Sequence, residues 1–91
     1  MSTWKIEFDE KAKAQLLNLD RQAQKRIISF LENRILARNN PRLVGSALQG
    51  NLSGFWKYRI GDYRLICKLE DNTLLLIVLM VGHRKEVYKK K

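Results

Sequence analysis

Four cations flank a Gly-Asp dipeptide at positions that a β-hairpin would bring together: Lys57 and Arg59 before Gly61-Asp62, then Arg64 and Lys68 after it. A two-residue loop that opens with glycine suits a type II′ turn. That register sets Ile60 opposite Tyr63, Arg59 opposite Arg64, Tyr58 opposite Leu65 and Lys57 opposite Ile66. Opposed residues share a face of the sheet and alternate residues along a strand share it too. Lys57, Arg59, Arg64 and Lys68 therefore stand on one face, with Trp56, Tyr58, Ile60, Tyr63, Leu65 and Cys67 on the other. Like charges directly opposed cost from a few tenths to about 1 kcal/mol. Plain solvation accounts for one exposed arginine better than for four cations with no carboxylate between them. The face is arranged for an anion, with phosphate the natural candidate.

A second group of reactive side chains follows Gly82, where His83, Arg84 and Tyr88 close the sequence pattern. Two readings stand for each of the titratable pair. His83 is either a hydrogen-bonded structural group or a participant in proton transfer. Tyr88 is either a lid on the core or a phenol that reaches the basic face.

The elements that must position these residues are legible around them. Thr3 to Phe8 alternates Trp4, Ile6 and Phe8 with Lys5 and Glu7, the period of a half-buried strand. Asp9 caps a helix in which Ala12, Gln15, Leu16 and Leu19 share a face, and Glu10 favours its first turn. Asp20 caps a longer helix over Arg21 to Ala37, with Ala23, Ile27, Leu31 and Ile35 as its apolar stripe, widened by Ile28. Its cations Arg21, Lys25, Arg34 and Arg38 read as a solvated face. The short connection predicts an antiparallel helical hairpin. Asn39-Asn40-Pro41 ends the second helix. The stretch from Asn39 to Gly54 has no periodicity, and Leu43, Val44, Leu48 and Leu52 are expected to pin it to the core. After the hairpin, Asp71-Asn72 turns the chain into a third strand over Leu74 to Val81. That strand is apolar on both faces and belongs at the centre of a sheet. Leu75, Ile77 and Leu79 fall on the basic face beside Ile66, an apolar strip that marks a binding surface. The expected class is α+β: an N-terminal strand, a helical hairpin and a three-stranded antiparallel meander, β-α-α-β-β-β.

Residues 1–91 fit one domain. The chain holds 18 Lys and Arg against 9 Asp and Glu, a net charge of +9 that predicts anionic partners, nucleic acid before acidic protein. No long basic amphipathic helix points to a membrane surface. The start MSTWKIEF has no signal-peptide apolar region, and charges keep every apolar run below transmembrane length. Cys67 is the single cysteine and His83 the single histidine, so neither an internal disulfide nor a zinc cluster is expected. The expected protein is cytoplasmic, with no metal and no cofactor.

Trp56-Lys57-Tyr58-Arg59, Gly61-Asp62-Tyr63-Arg64 and Val81-Gly82-His83-Arg84-Lys85-Glu86-Val87-Tyr88, preceded by Leu48-Gln49-Gly50, resemble the RelE branch of the RelE/ParE toxin superfamily. The order of elements matches as well, so the resemblance covers nearly the whole chain. It implies a RelE-like microbial RNase fold and a type II toxin: a ribosome-dependent endoribonuclease that cuts mRNA in the A site without a metal. The partners it implies are a small RelB-like antitoxin, mRNA and the ribosome, with operator DNA bound only through the antitoxin complex. By resemblance, Lys57 and Arg59 orient and charge the reacting phosphate, Arg64 clamps it, Arg84 serves the leaving oxygen and Tyr88 is the general base. Lys68 and Lys85 add RNA contacts. Two positions depart from the pattern: Arg59 stands where the best-known members have lysine, and Arg84 lies closer to Tyr88 than in those members. The shorter interval makes His83 a second candidate for the acid or base. Two other functions share these features: a ParE-like inhibitor of DNA gyrase, and a basic RNA- or ribosome-binding module without chemistry.

Overall fold

The computed structural model describes residues 3–83. In chain order they form β1 (Lys5–Phe8), α1 (Glu10–Leu17), α2 (Arg21–Phe30), β2 (Ser46–Ala47), β3 (Trp56–Ile60), β4 (Tyr63–Glu70) and β5 (Leu75–His83). Both predicted caps are present. The Asp9 carboxylate accepts from the Lys11 amide at 3.2 Å and that of Asp20 from the Ala23 amide at 3.0 Å, each satisfying an amide that a helix start leaves without a partner. The second helix does reach Leu36, but its last stretch, Leu31–Leu36, is π-helical. Leu31 and Ile35 stay on the buried side through that change of pitch.

The five strands make one sheet in the order β1-β5-β4-β3-β2, with β1 parallel to β5 and the rest antiparallel. The third strand of the meander, β5, lies inside the sheet between β1 and β4, as its two apolar faces require, although the central strand is β4. One face carries the core. Ala12, Leu16, Ile27, Leu31 and Ile35 from the helices pack on Tyr58, Leu65, Cys67, Leu76, Val78 and Val81 of the sheet. The other face carries the cations.

Hydrophobic side chains hold the loop between α2 and β3 less than its sequence implies. Val44 packs on the core, but Leu43 and Leu52 are exposed. Polar groups on the strands pin the loop instead. The buried Tyr58 hydroxyl donates to the Pro41 carbonyl at 2.6 Å, and the Trp56 indole donates to the Val44 carbonyl at 2.9 Å. Arg42 forms a two-pronged ion pair with Asp71 at 2.6 and 3.1 Å, and its guanidinium lies over Trp56. Within the loop, Ser46–Ala47 add the fifth, edge strand.

Burial pushes the Tyr58 phenol and the Cys67 thiol far above their ordinary values of 10.0 and 9.0. Both groups hold protons more tightly folded than unfolded. The stability this adds is fully present below the unfolded thiol value and is lost as pH rises through and beyond the unfolded values of both groups. The melting temperature should therefore fall steadily from about pH 9 upward. Thermal melts at stepped pH check this, and a flat profile into the phenol range would contradict the buried pair.

Candidate active site on the hairpin face

The β3–β4 pairing is the one that the Gly-Asp turn dictates. Trp56 opposes Cys67, Lys57 opposes Ile66, Tyr58 opposes Leu65, Arg59 opposes Arg64 and Ile60 opposes Tyr63. Gly61 takes a φ of +58°, which the first position of a type II′ turn requires and glycine supplies without strain. Tyr58, Leu65 and Cys67 are fully buried on the helix side, so Lys57, Arg59, Arg64 and Lys68 stand together on the opposite face.

The two opposed arginines are not equivalent. Arg59 is exposed, whereas Arg64 is only 8% exposed. Its Nη1 donates to the carbonyls of Gly61 at 3.2 Å and Tyr63 at 3.0 Å. The turn thus anchors one edge of the guanidinium. No buried side-chain nitrogen or oxygen among the described residues lacks a hydrogen-bond partner. The Nε and Nη2 of Arg64, for which no partner occurs among those residues, must therefore reach solvent. A planar fork with one side tethered and the other open is preorganised to take two oxygens of a phosphate. Among the described residues no carboxylate forms an ion pair with Arg59 or Arg64.

At the far end of the face the charge is partly answered. Lys68 Nζ lies 3.5 Å from a Glu70 carboxylate oxygen. The face is therefore not free of acid along its whole length, because Glu70 sits two residues along the same strand and so on the same side. The strongly cationic part is the end nearest the turn.

A bulge in β5 changes the neighbours of that end. Lys68 opposes Ile77 and Cys67 opposes Val78, but the next pair is Ile66 with Met80. Leu79, expected on the basic face, is the extra residue of the bulge, and Met80 takes the place beside Ile66. Beyond it, Gly82 opposes Arg64 and His83 opposes Tyr63. Gly82 brings no side chain to the arginine pair. His83 falls on the face opposite to Arg59 and Arg64, edge-on to the Tyr63 ring with centroids 5.9 Å apart. The side chain of Gln15 fixes this end of β5, accepting from the Val81 amide at 2.8 Å. A glutamine inside the otherwise apolar stripe of α1 was the sequence signal for such a tie. Arg84, Lys85 and Tyr88 lie outside the described residues.

Tyr58 is no candidate for proton transfer, since its phenol is buried, bonded to Pro41 and held protonated by desolvation. Among the described residues no group of three or more His, Cys, Asp or Glu could hold a metal ion, and no helix is long and apolar enough to cross a membrane.

Comparison with known proteins gives this geometry a family. Residues 6–88 match the family described as ParE toxin of type II toxin–antitoxin system, parDE. The toxin RelG of Mycobacterium tuberculosis is 34% identical over 50 residues, a stretch that covers 55% of this chain and 58% of the relative. The crystal structure of the RelBE2 toxin–antitoxin complex from Mycobacterium tuberculosis contains a chain that superposes with a TM-score of 0.82 and 26% identity, covering 94% of this chain and 97% of the other. The isolated RelE toxin of E. coli superposes with a TM-score of 0.65, again at 26% identity, covering 94% and 92% of the two chains. The chain spans little more than half the length of the curated relative RelG, and it belongs to the ParE toxin family of type II toxin–antitoxin systems, within the RelE/ParE superfamily.

Proposed function

We propose that this toxin is a ribosome-dependent endoribonuclease that cleaves mRNA in the A site. The observation that carries the reading is the opposed pair Arg59 and Arg64, with Arg64 tethered by the turn and open on its outer edge. The 2′-OH of one nucleotide attacks the adjacent phosphorus, the bond to the 5′-oxygen of the next breaks, and the products are a 2′,3′-cyclic phosphate and a free 5′-OH. Charge builds on the phosphoryl oxygens, where fixed cations stabilise the transition state more than the ground state. In this reading Lys57 and Arg59 charge and orient the phosphate, Arg64 clamps it, Arg84 stabilises the departing oxygen and Tyr88 takes the 2′ proton. His83 is the weaker alternative for that proton, because its strand register carries it to the other face. Lys68, shared with Glu70, and Lys85 make outlying RNA contacts. Positioning supplies much of the rate where acid and base are poorly matched to neutral pH, which favours presentation of the message by the ribosome.

The partner in this reading is a small acidic antitoxin that answers the +9 charge, and chains of similar fold occur in RelBE toxin–antitoxin complexes. It would cover the strip of Leu75, Ile77 and Met80 beside the cations, and the pair would repress its own promoter. The expected location is the cytoplasm, with the ribosome.

Primer extension on a reporter mRNA after induction, with and without ribosomes and with a chelator present, tests the proposal. Discrete cuts that need ribosomes and survive chelation are expected. Intact mRNA would overturn it. The match to the ParE family favours a second reading, inhibition of DNA gyrase. Double-strand DNA breaks beside intact mRNA would establish that one instead.

A further inference from the structure

Cations from the sheet and from a helix straddle the β3–β4 turn. Arg59 and Arg64 stand on the outer face of the sheet, while α2 lays basic residues against the same turn from the helix side. A β-carbon built on Gly61 would lie 3.4 Å from the Nη1 of Arg26, and the Gly61 carbonyl is also an acceptor for Arg64. One residue of the turn thus stands between two guanidinium groups.

From there a groove runs along α2 beside the end of β3, with Lys25, Arg26 and Arg34 on its rim and Phe30 and Ile60 on its floor. No Asp or Glu lines it, and none of the three cations forms an ion pair among the described residues. Asp62, the carboxylate of the turn itself, ion-pairs with none of the described cations. A helix face that is only solvated usually interleaves acids with bases three or four residues apart. Here the two rows that meet the groove are Arg26-Phe30-Arg34 and Lys25-Ser29-Asn33, without an acid in either. Arg34 lies over the Phe30 ring, 5.8 Å from its centroid. The Asn33 amide donates to the Ser29 hydroxyl at 3.0 Å, leaving neutral polar groups along the groove.

We infer that this groove holds the sugar–phosphate backbone of the single-stranded RNA that flanks the cleaved phosphate. The strand crosses the Gly61-Asp62 turn from the Arg59–Arg64 face into the α2 groove. The inference rests on the ribonuclease reading above. A cationic rim over an aromatic floor is the arrangement by which proteins hold single strands without reading sequence. An acidic protein helix, the competing occupant, needs a continuous apolar stripe, and the floor offers only a half-buried Phe30 and an Ile60 that is 8% exposed.

The test is binding of fluorescent, 2′-deoxy-blocked oligonucleotides by the free toxin across a salt series. One probe is long, about twelve nucleotides, within the span that one small fold can cover, and the other is a trinucleotide. The variant carries Lys25→Gln with Arg26→Gln, both exposed positions; the control carries Lys11→Gln with Lys13→Gln on α1, with the same loss of charge. Losing two phosphate contacts should make the log–log salt slope shallower by about 1.4 and weaken the long probe about 25-fold near 0.1 M salt. The trinucleotide should bind the variant and the wild type alike, and the control should bind both probes nearly as the wild type does. Equal losses in variant and control would assign the effect to net charge and overturn the inference. So would an unchanged slope in the variant, or a variant that keeps RNA and loses its antitoxin. The reporter cleavage assay reports separately on the ribonuclease reading, so either can fail while the other is scored.

Discussion

Replacing Arg64 with alanine is expected to abolish growth inhibition and to slow cleavage by roughly 100- to 1,000-fold, the cost of removing one preorganised group from developing oxyanion charge. Arg64 is buried on its inner edge, so the variant also loses the bonds to Gly61 and Tyr63. That loss should destabilise the fold by about 1–2 kcal/mol, or about 4–16 °C in melting temperature for a domain of this size. Arg64→Lys separates the two effects. A lysine keeps the charge and much of the stem but has no fork, and it cannot hold the turn and a phosphate together. It should melt closer to the wild type yet cleave at least about ten times more slowly, because a bidentate contact becomes a point charge. Arg59→Ala, at an exposed position, should leave the melt almost unmoved. Primer extension beside thermal melts reads all three. An alanine variant at position 64 that folds and stays fully toxic would remove the phosphate clamp from the mechanism.

Gly45→Ala is expected to be the most damaging single methyl addition in the loop. Gly45 has a φ of +80°, and a β-carbon there would collide with the Lys57 carbonyl, lie 2.6 Å from Trp56 Nε1 and 2.8 Å from Tyr58 Cδ1. Those are the backbone of β3 and the two aromatic side chains that pin the loop. The left-handed backbone costs about 1–2 kcal/mol for an L residue and the overpacking about 1–3 more. A fall of roughly 8–40 °C in melting temperature follows. Gly50→Ala is the control, since its φ is +67° but nothing lies within 4 Å of the added carbon. That change should cost only the backbone term, about 4–16 °C. Similar melts for the two variants would show that the contacts around Gly45 yield. Because Lys57 belongs to the displaced strand, Gly45→Ala should also lower activity in any fraction that folds.

The parts of this fold that could be read in advance were those with local physical causes. A two-residue turn sets its own register, so the Arg59–Arg64 pair followed from counting outward from Gly61-Asp62. Asp9 and Asp20 announced helix starts because a short acceptor before an apolar period has few other uses. What escaped was non-local or carried by the backbone. The parallel pairing of β1 with β5 joins Lys5 to Leu75 and leaves no mark in either segment. The bulge at Leu79 adds one residue to a run in which every neighbour is apolar, so nothing in the pattern shows where the faces exchange. It moved His83 away from the arginines. Pinning of the loop through Tyr58, Trp56 and Arg42 depends on single atoms meeting across the fold, which residue types alone do not disclose. Glu70 was in plain view, yet its answer to Lys68 needed the strand to run straight to its end.

The place of β5 in the sheet has a consequence for when the fold comes into being. β5 is the shared neighbour of β1 and β4, and among the described residues it is the last strand to be made. A nascent chain stopped before Leu75 has a first strand with no partner and a three-stranded β2-β3-β4 piece whose β4 edge is open. The sheet closes between β1 and β4 only once β5 has been made, and that closure joins segments some seventy residues apart. Synthesis itself acts as a delay. During that interval the edges of β1 and β4 that β5 will occupy are open to any other segment able to pair with them.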